Sequence, residues 1–325
     1  MQSAPVHARM TNGKSTRFTA EKPVGKKVGL SDYFLWLLVP IAALVSVLQG
    51  IEISPYMTLN GPIFIVTVCV LFAFVHGYKR YGVKHLLVFF AISAFFGMFY
   101  ENLSITTGFP FGHYHYSNQL GPKFLYAPYI LNIAYFQMLY LSWTIASLLV
   151  DQYGPKLRGA HRWVLPVVAS FVMVMWDAVI DPNMSTVLGH WLWHNGGAYY
   201  GVPFENYLGW FLCVYSMNQC FGLYSGIIKE VQPRTTIHDR GYWLQAIAIY
   251  CTWPLTFLLR GFFLDPSRTV ISADHQVWKM AYLYQTAGII SLVTMYFVAA
   301  MAILRLLVLR ACFKNRFGLK SGTYV

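Results

Sequence analysis

The chain has 325 residues, 57% hydrophobic, 18% aromatic and only 11% charged. Soluble domains carry about 25% charged residues, so this composition excludes a soluble globular protein and indicates an integral membrane protein. The net charge of +12 would suit a nucleic-acid partner, but its distribution along the chain argues against one.

Residues 1–30 are polar, basic and rich in small residues, which predicts a disordered cytoplasmic arm. Its acid-poor start is faintly like an organelle transit peptide, and a positively charged cytoplasmic arm explains it more simply. Eight apolar runs of roughly bilayer-spanning length follow, at 33–51, 59–78, 85–105, 124–150, 163–180, 207–228, 242–264 and 280–304. They lack the alternation of barrel strands, so they read as helices whose backbone satisfies itself in lipid. With both termini in the cytoplasm, 20 of the 24 Lys and Arg residues fall on that side, and Lys123, Arg260, Arg268 and Lys279 lie outside. This asymmetry follows the positive-inside rule. The expected architecture is an all-α, multi-pass helix bundle of the cell membrane over residues 31–310, with a cytoplasmic tail at 311–325.

Five cysteines, Cys69, Cys213, Cys220, Cys251 and Cys312, show no CxxC spacing and are expected to be packing residues. The two longest outer connections, 106–123 and 181–206, are dense in Gly, Pro and aromatic residues. Gly108, Gly112, Gly121, Gly196, Gly197 and Gly201, with Pro110, Pro122 and Pro203, predict defined turns. The two connections are therefore expected to form a folded lid over a cavity. A short echo, Gly108 to Tyr114 against Gly201 to Tyr207, is weak ground for an internal duplication.

Five of the twelve acidic residues, Glu101, Asp177, Asp181, Glu205 and Asp265, lie in or beside the apolar runs. Ionisable groups at such positions are costly to keep and mark functional sites. Asp177 and Asp181 are four apart and share a helix face, and Pro182 is expected to turn Asp181 out of the helix. Glu101, Asp177 and Asp181 should sit at one depth, as the candidate catalytic set. A carboxylic acid held out of water can donate a proton, and aromatic faces can steady a carbocation. Tyr100, Tyr114, Tyr116, Trp176, Trp191, Trp193, Tyr199, Tyr200 and Trp210, with Asn206, are the candidate substrate-binding residues, and Tyr126 lies in the same segments. His113, His115, His190 and His194, with Glu205, are expected as auxiliary hydrogen-bonding groups. The HxH and HxxxH spacings are compatible with metal ligation, but the histidine set is small for a membrane di-iron site, and no metal is expected.

At these residues the chain resembles a known family, the integral-membrane carotenoid biosynthesis proteins. That family includes bacterial carotenoid 1,2-hydratases and the bisanhydrobacterioruberin hydratase of haloarchaea. The resemblance rests on Tyr100-Glu101, on Thr107 to Gly112 with Tyr114 and Tyr116, on Gly121-Pro122 and Pro128, and on Trp176-Asp177 with Asp181-Pro182. It continues through Trp191 and Trp193, Gly197 to Gly201, Pro203, Asn206 and Gly209-Trp210. It implies hydration of the terminal C1–C2 double bond of an acyclic (ψ) carotenoid end group, giving a tertiary alcohol without a cofactor. The implied partners are a carotenoid drawn from the bilayer and other enzymes of that pathway. Another membrane enzyme acting on isoprenoids, such as a metal-dependent oxygenase, and a proton-coupled transporter are the alternatives.

Overall fold

The computed structural model describes residues 29–229 and 239–317, with side chains as far as Val308. The order is α1 (Leu30–Gly50), α2 (Pro55–Thr107), β1 (Tyr114–Tyr116), β2 (Lys123–Phe124), β3 (Ala127–Pro128), α3 (Ile130–Leu149), α4 (His161–Pro182) and β4 (Trp191–Trp193). It continues with α5 (Phe204–Ile227), α6 (Arg240–Tyr250), α7 (Leu255–Phe263), β5 (Thr269–Ile271), β6 (Val277–Lys279), α8 (Met280–Ser291) and α9 (Phe297–Phe317). The protein is an all-α membrane bundle with a few short strands. The disordered arm expected at 1–30 falls outside the described residues except for Gly29 and Leu30, the cap and first residue of α1. Helix α9 runs on to Phe317, past the expected boundary at 310.

The expected count of eight spans is not what the structure shows. Among the described residues five helices are long and apolar enough to cross a membrane: Leu30–Gly50, Pro55–Thr107, His161–Val187, Arg240–Phe263 and Met280–Val308. Two predicted runs fall within α2, whose 53 residues form two helical arms joined at a kink. The Ser54 hydroxyl accepts from Met57 N at 3.2 Å, with Pro55 at the first helical position, a strong start signal. Gly108 closes α2 in the left-handed conformation at φ 81°. Inside α2, Gly82 has φ 71° and ψ 174°, a geometry that suits only glycine. It divides the helix into arms 55–81 and 83–107, which meet at Phe74 and Phe90 with ring centres 5.6 Å apart. Helix α3 falls short of the five for a different reason. Every residue from Tyr135 to Leu148 is buried, so α3 meets protein on all sides and can carry Gln137, Ser142, Thr144 and Ser147.

Helix α4 continues through Pro182 into a wide turn at Asn183–Val187, so Asp181 is helical, contrary to expectation. A proline inside a helix leaves the carbonyl four residues earlier without its N–H partner. Here Ala178 O receives the Tyr199 hydroxyl at 3.0 Å, which repairs the loss. Pro166 is treated alike, with Arg162 O accepting from the Gln219 amide at 3.1 Å.

The two outer connections do fold together. Strands β1 and β4 pair antiparallel, Tyr114 opposite Trp193, His115 opposite Leu192 and Tyr116 opposite Trp191. This ribbon crosses the end of the bundle where α2 and α4 finish and α3 and α5 begin. Cys69 and Cys213 are buried and Cys220 and Cys251 partly so, all four free; the Cys312 side chain lies outside the described ones. Arg260, counted with the outer basic residues, is buried on α7, donating to Gln49 O at 3.2 Å and to the Tyr284 hydroxyl at 2.6 Å.

Candidate active site

Glu101 stands six residues before the end of α2, Asp177 and Asp181 lie one turn apart at the end of α4, and Asn206 opens α5. All four are buried and line one cavity. Glu101 accepts three phenolic hydrogen bonds: from Tyr116 at 2.7 Å, from Tyr135 at 2.5 Å and from Tyr114. Three O–H donors fix the position of this carboxyl in the cavity wall. Burial first, then Glu101, pushes the Tyr114 and Tyr116 phenols well above their ordinary range, so both remain protonated donors.

Asp181 is held from two sides. The Trp191 indole N–H donates to it at 2.8 Å and the Asn206 amide at 2.5 Å. The same amide nitrogen reaches Asp177 only at 3.4 Å, at the outer limit for a hydrogen bond. Asp177 is therefore the least engaged of the three carboxyl groups, and it faces the cavity.

The strand period explains the inner wall. Successive residues of β1 point to opposite faces, so Tyr114 and Tyr116 are buried against the cavity while His113 and His115 are exposed. On β4, Trp191 and Trp193 face inward and Leu192 outward. Trp210 stacks on Tyr135 with ring centres 4.9 Å apart and planes 7° apart, and Trp176 meets Trp210 edge-on. About 100 Å³ of this cavity is open to a water-sized molecule, room for a few waters or the tip of an apolar chain.

His190 completes the set. It is buried, lines the cavity, and neither ring nitrogen has a hydrogen-bond partner. Burial pushes its pKa down from 6.5 to about 4, so the imidazole is neutral near pH 7. An unpartnered buried imidazole facing open space is a group available to a ligand or a water.

Several expected site residues lie elsewhere. Tyr100 turns its hydroxyl to Ser216 at 3.1 Å on the far side of its helix. Tyr199 is occupied with Ala178, and Tyr200 pairs with Thr286 at 2.7 Å; neither lines the acid cavity. His113, His115 and His194 gather on the outer face of the ribbon, with His115 Nδ1 3.0 Å from His194 Nε2, and none touches a carboxyl group of the site. Among the described residues no group of three or more His, Cys, Asp or Glu is arranged to hold a metal ion. Glu205, Asp265 and Tyr126 are exposed. In exchange, the structure brings in Tyr135, Phe111, Met184 and Trp253, together with Pro62, Ile63 and Val66 from the first arm of α2. Phe111 lies within the quoted Thr107 to Gly112 motif. Tyr135 and the α2 residues sit inside unbroken apolar runs, where nothing local distinguishes them.

Residues 60–264 match the family described as carotenoid biosynthesis protein. Over 113 residues the chain is 30% identical to a bisanhydrobacterioruberin hydratase of Haloarcula japonica, covering 34% of this chain and 36% of that protein. The chain thus matches about a third of that relative's length. No solved structure matches. With the family match running over more than half its length, from the first arm of α2 to the end of α7, the chain belongs to the carotenoid biosynthesis protein family.

Proposed function

We propose that the protein is a carotenoid hydratase that adds water across the terminal C1–C2 double bond of a ψ end group, by acid catalysis, to give a tertiary alcohol. The observation that carries this reading is the meeting of Glu101, Asp177 and Asp181 in a single aromatic-walled cavity. Family membership supports a carotenoid substrate, and the name of the Haloarcula relative supports the reaction.

The chemistry follows from the hydrogen bonds. Asp177, with one long contact, is the proton donor. Its proton goes to C2 as the π bond opens, leaving a tertiary cation at C1. The Glu101 carboxyl, oriented by its three tyrosines, turns its oxygens toward the developing charge, and Trp176, Trp191, Trp193 and Trp210 offer π faces to the cation. A water attacks C1, and the C–O bond forms as His190 accepts the water's proton. Transfer of that proton back to Asp177 restores the site, so the sum is one alkene plus one water giving one alcohol. Among the described residues Asn206, whose amide Asp181 holds, is the one partner that reaches Asp177. The sequence as written consumes only the carotenoid and water. The cell membrane, where an acyclic polyene dissolves, is the proposed location.

The test is expression in a host that makes lycopene, with mass analysis of the pigments. The expected result is a product heavier by one water and bearing a tertiary alcohol. A host pigment that is unchanged, or that gains oxygen without hydrogen, overturns the reading.

A further inference from the structure

The space within the cavity, about 100 Å³, is smaller than the roughly 150 Å³ of an engineered apolar cavity that holds benzene. A C40 polyene is about as long as the hydrocarbon core is thick, roughly 30 Å. Only the end group fits, and the remaining chain must leave through the wall.

Around Glu101, Asp177 and Asp181 the wall is aromatic and mostly buried. Six apolar lining residues are partly exposed: the rings of Trp191 and Trp210, and four aliphatic side chains, Ile63 on the first arm of α2, Leu120, and Ile130 and Ala134 at the start of α3. Glu101 projects into the same space from the second arm. The cavity therefore lies between the two arms of α2, over the first turns of α3. Toward Gly82 the arms are closed by Phe74, Phe90 and Phe136, with ring centres 4.9 to 5.6 Å apart, and Phe74 and Phe90 are themselves partly exposed. No charged residue occurs in 63–74 or in 130–136. The path from Ile63 to Phe74 measures about 16 Å at the helical rise, close to half the length of such a chain.

We propose that the polyene leaves the cavity sideways, between the arms of α2 over Ile63, Ile130 and Ala134, and lies along that crevice toward Phe74 and Phe90. The protein then reads one end group at a time. The far half of the substrate lies beyond the crevice, so acyclic and monocyclic polyenes with one ψ end are both accepted, and a two-ended substrate must be released and rebound. The fate of the end group rests on the hydratase reading; the course of the chain rests on the geometry alone.

The experiment uses the full chain purified in detergent and loaded with lycopene, reading retained pigment by its absorbance and added water by mass. Ala134→Phe, and independently Ile63→Phe, should each lower retention roughly tenfold, a loss of about 1.4 kcal/mol. Leu87→Phe, at a position on the second arm outside the cavity lining, should retain pigment as the native chain does. Native retention in Ala134→Phe and Ile63→Phe, or an equal loss in Leu87→Phe, overturns the lateral path. A native chain that retains pigment, loses it on Ala134→Phe and adds no water supports the path while refuting the hydratase reading.

Discussion

Two buried histidines, one at each end of the bundle, sit in opposite circumstances. His76, on the first arm of α2, has both ring nitrogens engaged: Nδ1 with the Tyr140 hydroxyl at 2.5 Å and Nε2 with Tyr242 O at 2.8 Å. Its ring stacks on Tyr242 with centres 3.7 Å apart, and the Tyr140 and Tyr242 hydroxyls join at 3.0 Å. None of these three lines the acid cavity. His190 is just as buried but bonds to nothing and faces open space. A satisfied buried network rigidifies a fold; an unsatisfied one beside a cavity is poised for a ligand. Chemistry in this protein is expected where polar groups are left without partners, rather than wherever they are buried.

The comparison can be broken most sharply at the acid. Asp177→Asn keeps shape and the contact to Asn206 but removes the proton, so hydration should fall by about 10³-fold or more, with insertion unchanged. Pigment analysis of cells carrying the variant checks this, and an undiminished alcohol yield removes Asp177 from the mechanism. His190→Gln should cost about 10²-fold in turnover. The native rate should persist as pH falls past 6.5 and fail only near His190's value of about 4, where the imidazole takes a proton and can no longer act as base. A pH–rate profile of the protein in vesicles measures that limb, and a midpoint near 6.5 would place another group in the role. The same depression works against the fold: between about 6.5 and 4 only the unfolded chain protonates this histidine, so stability declines as pH falls through that window.

Smaller effects sharpen the contrast. Trp191→Phe removes the N–H donor to Asp181 while leaving a ring, and should lower turnover about tenfold, or ~1.4 kcal/mol, without altering pigment retention. His76→Phe should do the reverse. It takes the imidazole from the Tyr140 hydroxyl, which keeps the Tyr242 hydroxyl, and costs about 1 kcal/mol of stability, read as a lower melting midpoint, with turnover per folded molecule unchanged. Equal losses of turnover in His76→Phe and His190→Gln would erase the distinction between the two centres.

Much of the candidate site's arrangement was legible in the sequence. Glu101, Asp177 and Asp181 stand out because charge in an apolar run is costly, and all three meet. The inward tryptophans and tyrosines of the two connections were legible as a concentration of aromatics beside acids. The histidines were harder. His113 and His115 read as hydrogen-bonding partners for the carboxyl groups until strand pairing turns both outward and their tyrosine neighbours inward. Tyr199 reads as a substrate contact until Pro182 is seen to leave Ala178 O open. Tyr135, a third donor to Glu101, was invisible because a tyrosine inside an apolar helix has no local mark of its role.

Composition and charge placement alone determined that the chain is a multi-pass helical membrane protein, because lipid forbids unpaired backbone and most sequences cannot meet that demand. They also determined where the costly carboxyl groups lie along the chain. Only the tertiary structure decided how many helices run as single pieces, which face of each strand meets the cavity, and which buried groups go without partners. Those outcomes depend on contacts between residues as far apart as Glu101 and Tyr135, or Asp181 and Asn206, and separation of that kind leaves no trace in a local pattern.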